Sequence, residues 1–171
     1  KLPFTAFYPF IISGILLFVN SVVDSIPKNR YNGQEVTEMK LSLVVPCYNE
    51  EENVAAFQTA VIEAFRDCGY DYETVFVNDG SRDHTEQELK KLFRNQACPT
   101  KVVCFSRNFG KESGLYAGLQ HASGEYICCI DADLQQRPEI VRDMVSYLDG
   151  HGDCDMVAAY QDKRGDGKVL T

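Results

Sequence analysis

The sequence predicts an α/β protein in which helices cover both faces of a mostly parallel β-sheet. Short runs of β-branched and apolar residues alternate with stretches of helical period between residues 41 and 160. The chain has 171 residues, of which 44% are hydrophobic and 25% charged, so it can bury one core. Polar side chains follow directly after the apolar runs, which is where parallel strands present ligand-binding loops.

Strands and helices are predicted to alternate from residue 41 onwards. Residues 41–45 form a first strand, and Asn49 opens a helix whose apolar positions recur every three or four residues. Further helices are predicted at residues 85–93, at residues 112–122 and after Pro138, which suits the first turn of a helix. Further strands are predicted at residues 74–77, 101–105, 126–130 and 155–160.

The N-terminal part is predicted to be separate from this domain. Apart from its first residue, the segment of residues 1–23 is uncharged and is as long as the roughly 20 residues that cross a bilayer, so we expect a transmembrane helix. The alternatives are a signal-peptide core and a hydrophobic helix that lies on the membrane. Residues 24–40 are typical of a linker, and the domain then spans residues 41–171. Basic residues after the hydrophobic segment favour a cytoplasmic domain, namely Lys28, Arg30 and Lys40.

The net charge restricts the class of ligand that the protein is expected to bind, and the cysteines indicate its cellular compartment. A net charge of −8 leaves little basic surface for nucleic acid, which is therefore not an expected partner. An acidic protein that binds a phosphorylated ligand needs a bound cation or a few well-placed basic groups. Seven cysteines without a C-x-x-C spacing are typical of reduced, buried thiols in a cytosolic domain.

One predicted strand end has the pattern of a metal site. Asp131 and Asp133 follow the strand at residues 126–130, and Gln135 comes two residues later. Alternate residues of an extended chain point the same way, so three oxygen-bearing side chains share one side. Such ligands suit Mg²⁺ or Mn²⁺ and leave positions open for phosphates. The alternative is that Asp131 caps the following turn and Asp133 is solvated.

Three other strand ends carry polar residues with two interpretations each. Asp79 can accept hydrogen bonds from a ribose or a base beside the flexible Gly80, although Asp-Gly-Ser is also an ordinary turn. The residues from Pro46 to position 50 either contact a ligand or only end a strand and cap a helix. Arg107 and Lys111 either hold an anionic diphosphate or are surface charges.

In this order the motifs resemble those of the family 2 glycosyltransferases, which have the GT-A fold. The motifs are VVPCYNEE at residues 44–51, VNDGSRD at residues 77–83 and DADLQ at residues 131–135. The segments SRNFGKE, AGL and ASGE, between residues 106 and 125, are similar to the polyprenyl-phosphate glycosyltransferases within that family. That group contains dolichol-phosphate mannosyltransferase and its bacterial relatives. The resemblance covers about 120 residues.

The resemblance implies a role for each matching residue and an overall reaction. The nucleoside is expected to contact Pro46, Tyr48, Asn49, Glu50 and Asp79, with Lys111 near the diphosphate. Asp131 and Asp133, the catalytic residues, hold Mg²⁺ or Mn²⁺ together with Gln135, and Asp131 also contacts the nucleotide sugar. The reaction is inverting transfer of a hexose from a UDP- or GDP-sugar to an undecaprenyl or dolichyl phosphate, with the catalytic domain on the cytoplasmic side of the membrane.

Departures from the family pattern define the alternatives. Asn78 stands where the family often has an acidic residue, and Gln136 and Arg137 precede Pro138 where relatives often have Asp-Pro. In the family an acceptor loop and membrane helices usually follow, whereas this chain ends at Thr171, so we expect a C-terminally truncated domain that lacks the acceptor region. The alternative functions are a family 2 transferase with a saccharide or protein acceptor, and a non-catalytic nucleotide-sugar-binding module. The sequence leaves a homo-oligomer open.

Overall fold

A computed structural model describes residues 14–19, 40–161 and 167–170, which form seven strands and four helices. The four helices and the five strands between residues 41 and 161 occur where the chain changes between alternating and helical periodicity. The strands are β1 (Gly14–Val19), β2 (Leu41–Cys47), β3 (Tyr72–Asn78), β4 (Thr100–Cys104), β5 (Tyr126–Cys129), β6 (Met156–Gln161) and β7 (Gly167–Leu170). The helices are α1 (Val54–Phe65), α2 (Thr85–Asn95), α3 (Lys111–His121) and α4 (Glu139–Gly150).

All strands belong to one sheet in the order β4-β3-β2-β5-β1-β6-β7. Strands β4, β3, β2 and β5 are parallel neighbours, and we call them the parallel half. Strand β1 pairs antiparallel with both β5 and β6, and β7 pairs antiparallel with β6; these three strands are the antiparallel half. The predicted α/β class is confirmed, and parallel pairing is concentrated in the half where strand-helix units alternate.

Two apolar layers hold the helices on opposite faces of the sheet. On β2, Leu43 and Val45 face the layer that contains α1, α2 and α4, whereas Val44 faces the layer beneath α3. This division follows from the strand geometry, because successive side chains point to opposite faces. Gly118 of α3 lies so close to Val44 that an added Cβ would be 2.3 Å from a Val44 methyl carbon. Helix α3 therefore packs tightly over the centre of the parallel half.

The predicted N-terminal helix is wrong for residues 14–19, which form β1. Ile15 and Leu17 are buried in the larger core, with 2% and 0% of their surface exposed. An apolar run satisfies its backbone hydrogen bonds equally well as a central strand, and β5 and β6 offer it two edges. The other residues of the 1–23 segment lie outside the described part of the chain. Within the described ranges, no helix is both long enough and apolar enough to cross a membrane.

The predicted linker lies almost wholly outside the described residues, and the predicted burial of the cysteines is met in part. Only Lys40 of the 24–40 linker lies in the described residues, where its ammonium pairs with Glu125 and Asp149 beside β5. All seven cysteines are free, and four of them are buried, whereas Cys104 is exposed. Burial raises the pKa of the Cys129 thiol to about 12, so this strand residue is a packing residue and not a nucleophile.

Candidate active site

An open cleft of about 330 Å³ lies at the carboxyl ends of the parallel strands. This is the edge of the sheet at which ligands bind in open α/β folds. Seven of the nine predicted site residues line the cleft, and Asn49 and Gln135 do not. The lining residues are Pro46, Cys47, Tyr48, Glu50, Asp79, Asn108, Gly110, Lys111, Asp131, Ala132 and Asp133.

The loop after β2 is fixed by Asn49, whose backbone is in the left-handed region with φ 57°. Its side-chain Oδ1 accepts a hydrogen bond from the Arg82 N–H at 2.9 Å, and its own N–H donates to the Ser81 hydroxyl at 3.0 Å. Both contacts join the loop after β2 to the loop after β3. In the structure the Asn49 amide joins the two loops, and its predicted contact with a nucleoside stays a prediction.

Helix α1 begins at Val54, five residues later than predicted, because the preceding N–H groups bond to the neighbouring loop. The Glu50 N–H donates to the Thr85 hydroxyl at 2.8 Å, and the Glu51 N–H donates to Asp83 Oδ2 at 3.2 Å. These donors are thus satisfied without a helical turn. Burial alone would raise the pKa of Asp83, but hydrogen bonds from Thr85 and from the Glu51 N–H outweigh it and lower that pKa.

Asp79 acts as a clamp on the loop that leads into α3. Its carboxylate is 3% exposed and accepts hydrogen bonds from the Phe109 N–H at 2.7 Å and from the Gly110 N–H at 2.8 Å. Gly80 has φ 61°, and an added Cβ would be 2.2 Å from the Arg107 carbonyl carbon. Only glycine permits so close an approach of the two loops. The sequence suggested a ligand contact for Asp79 but gave no sign of this clamp.

The clamp places Lys111, the first residue of α3, against Asp131. The Lys111 ammonium is 2.8 Å from Asp131 Oδ1 and 2.9 Å from Asp131 Oδ2. Both side chains line the cleft, and the lysine retains 41% of its side-chain exposure. Arg107, the other predicted diphosphate ligand, instead lies over the ring of Phe109 at 4.1 Å and does not line the cleft. Lys111 is thus the cation among the lining residues.

Two of the three predicted metal ligands line the cleft, and the third, Gln135, does not. Asp131 and Asp133 line the cleft, but the chain turns at Leu134, where φ is 60°, so Gln135 does not continue the alternation. The Gln135 N–H donates to Asp133 Oδ1 at 3.1 Å, and it is Gln136 whose Oε1 accepts from the Asp131 N–H at 3.4 Å. Within the described ranges, no group of three or more His, Cys, Asp or Glu side chains is suited to hold a metal.

The charges of the cleft fit a cation that is bound together with an anionic ligand. Four carboxylates line the cleft beside Lys111, namely Glu50, Asp79, Asp131 and Asp133. An anion that enters this cleft is repelled unless a further cation lies between the charges. Asp131 already holds the Lys111 ammonium with both oxygens, which shows that a positive charge is favoured at this position. Oxygen donors of this kind suit Mg²⁺ or Mn²⁺.

A doubly covered α/β sheet with such a cleft at the ends of its parallel strands is typical of nucleotide-binding domains. The chain belongs to glycosyl transferase family 2, whose profile matches residues 42–170. The family and fold implied by the three sequence motifs are therefore confirmed.

Two relatives carry names that describe a reaction. The chain is 41% identical over 132 residues to the bactoprenol glucosyl transferase of Shigella phage SfV, which covers 77% of this chain and 42% of the relative. It is 33% identical over 141 residues to the dodecaprenyl-phosphate galacturonate synthase of Rhizobium johnstonii, which covers 82% of this chain and 41% of the relative. The chain thus spans about two fifths of the length of these curated relatives.

A solved structure supports the fold. The crystal structure of S. aureus TarS 1–349 in complex with UDP has a TM-score of 0.57 to this chain at 29% sequence identity. The similarity covers 67% of this chain and 33% of that one. The matched part of TarS therefore has the same chain fold as the domain described here.

Proposed function

We propose that this chain is the donor-binding part of an inverting glycosyltransferase that moves a hexose from a UDP- or GDP-sugar to a polyprenyl phosphate. The observation that carries the proposal is the meeting of Asp131, Asp133 and Lys111 in one cleft at the ends of parallel strands. Two carboxylates and one ammonium in that position suit a diphosphate and a divalent cation that bind together. The reactions named for the bactoprenol and dodecaprenyl-phosphate relatives support the acceptor class.

Two groups of cleft residues are proposed to bind two parts of the donor, its nucleoside and its diphosphate. Pro46, Tyr48, Glu50 and Asp79 are proposed to line the nucleoside, since they lie at the ends of β2 and β3. Lys111 is proposed to donate to the diphosphate oxygens from the start of α3. The UDP complex of TarS supports a uridine nucleotide as the first ligand to test.

Asp131 and Asp133 are proposed to hold Mg²⁺ or Mn²⁺. When bound, the ion would neutralise the negative charge that develops on the departing nucleoside diphosphate. The phosphate of a polyprenyl phosphate is already anionic at neutral pH, so the acceptor needs no strong general base from this chain. Because the proposed acceptor is a lipid, we also propose that the enzyme acts at the cytoplasmic face of a membrane.

Calorimetry of nucleotide binding tests the donor and the metal together. We expect UDP or GDP to bind in Mn²⁺ and to lose most of its affinity in EDTA, because carboxylates and diphosphate repel without the cation. Asp133→Asn should weaken binding in Mn²⁺, whereas Asp143→Asn, which removes one exposed carboxylate of α4 outside the cleft, should not. Equal affinities in Mn²⁺ and EDTA would refute the metal-dependent donor site.

Turnover tests the reaction itself in a longer protein that contains this chain. Asp133→Asn should lower the rate of hexose transfer to a short polyprenyl phosphate by about 10²–10³-fold, the usual effect of removing one electrostatic group from an active site. The loss should appear in kcat, because the charge matters most as the diphosphate departs. Normal turnover in a folded variant, checked by circular dichroism, would contradict the assignment of Asp131 and Asp133.

A further inference from the structure

Lys111 and Asp131, the residues proposed above to bind the diphosphate and the metal ion, form an ion pair with each other. The ammonium lies within 2.9 Å of both carboxylate oxygens, so it occupies the ligand atoms that the proposed metal site needs. A lysine at the first turn of α3 is opposed by the positive end of the helix, so it favours an anion beside it. Asp131 supplies that anion within the chain itself.

We propose that the Lys111–Asp131 ion pair is a latch that makes metal binding and diphosphate binding cooperative. This inference rests on the proposed function, since it concerns the ligands of the same cleft. A metal ion that binds Asp131 has to displace the lysine, and a diphosphate that binds Lys111 has to displace the aspartate. Either ligand alone has to break the ion pair, which costs free energy. When both ligands bind, the pair is broken only once, so each ligand strengthens the binding of the other.

Two features of the structure favour this exchange over a fixed pair. The pair lies in the open cleft with about a third or more of each side chain exposed, so exchange requires no unfolding. The Asp79 clamp and the close packing of Gly80 hold the backbone before Lys111, so the lysine can change partner while its Cα stays in place. In addition, two carboxylates are a weak metal site until the diphosphate adds its oxygens, and the described residues place no third carboxylate, His or Cys suited to hold a metal beside them.

The latch is tested by measuring Mn²⁺ affinity with and without UDP. Free Mn²⁺ is followed by electron paramagnetic resonance in the 171-residue chain, in Lys111→Met and in Lys111→Arg. Arg137→Met is the matched control, because it also removes one exposed positive charge close in sequence to Asp133 but outside the cleft lining. Circular dichroism establishes that each variant is folded.

The informative quantity is the factor by which saturating UDP increases Mn²⁺ affinity. Lys111→Met should bind Mn²⁺ alone about two- to fivefold more tightly, the range expected for removing an exposed ion pair. The factor by which UDP increases the Mn²⁺ affinity of this variant should be smaller by the same amount, because the variant has no ion pair to break. Arg137→Met should leave that factor unchanged, and Lys111→Arg should behave as the unmodified chain because it retains the ion pair.

The outcomes separate this inference from the proposed function. If UDP binds but Lys111→Met leaves the UDP-dependent factor unchanged, Lys111 is a surface charge and the latch is wrong. Failure of Mn²⁺ to bind both the unmodified chain and Lys111→Met would equally overturn it. If UDP and GDP do not bind at any Mn²⁺ concentration, the proposed donor site fails, and the latch fails with it.

Discussion

Both halves of the sheet contain fully buried apolar strand residues, but among the described residues only the parallel half and its loops line the candidate site. In the parallel half, strands β2, β3 and β5 end at the same edge, and the loops that follow β2 to β5 form the cleft. In the antiparallel half, neighbouring strands end at opposite edges, so only alternate strands end at the edge where the cleft lies. The comparison indicates that strand direction, rather than burial, decides where polar groups can converge on one ligand.

The first prediction separates stability from binding in the antiparallel half. Leu17 of β1 is fully buried, and truncation of a buried leucine leaves a cavity, so Leu17→Ala should lower the free energy of unfolding by about 2–5 kcal/mol. Nucleotide affinity of the folded fraction should be unchanged, because β1 contributes no residue to the cleft. Urea unfolding and calorimetry measure the two quantities.

Leu43→Ala is the matched variant in β2, since Leu43 is also fully buried in the same core. It should destabilise the fold by a similar amount. If only Leu43→Ala affects unfolding, β1 does not occupy its place between β5 and β6 in solution.

The second prediction concerns a residue of the parallel half that should couple stability to binding. Asp79→Ala leaves the Phe109 and Gly110 N–H groups without their acceptor, which should lower the free energy of unfolding by about 1–3 kcal/mol. Because the same loop leads to Lys111, UDP affinity in Mn²⁺ should fall by a similar free energy of about 1–3 kcal/mol. Asp143→Ala is the control and should change neither. Unchanged UDP affinity in Asp79→Ala would mean that the loop does not position the site.

The third and smallest prediction is a pH dependence that arises from the same loops. The pKa of Asp83 is lower in the folded chain than its usual value of about 3.9. A lowered pKa gives stability that is present above about pH 4 and is lost as the pH falls through the folded-state pKa. Asp83→Asn should therefore make the unfolding free energy fall less steeply below pH 5. Urea unfolding at a series of pH values measures this dependence.

Asp149 is the comparison group, because its pKa is also lowered but it lies near Lys40 and Tyr126, away from the cleft-forming loops. Asp149→Asn should also make the unfolding free energy fall less steeply below pH 5, but it should not change UDP affinity at neutral pH. Asp83→Asn should weaken UDP binding slightly as well, because it loosens the loop after β2. If the two variants bind UDP with equal affinity, the loop after β2 does not influence nucleotide binding.

The sequence predicted most of the domain because its signals were local. Alternation and helical period identified five strands and four helices from residue 41 onwards, and residues such as Asp131 and Asp133 follow a strand directly. The start of α1 was misplaced because the N–H groups of the residues before it bond to a loop about 30 residues away, which no local pattern contains. The expected alternation of side chains does not reach Gln135, because the left-handed backbone at Leu134 ends it.

The sequence by itself determined the α/β class and the family, and seven of its nine predicted site residues line the cleft, because these depend on periodicity and on motifs at strand ends. Only the tertiary structure decided that residues 14–19 form a central strand, since an apolar run pairs with whichever edges the fold leaves open. It also decided that Asp79 clamps a backbone and that Lys111 pairs with Asp131. Those contacts join residues 20 or more positions apart, and their geometry exists only after the parallel strands have aligned.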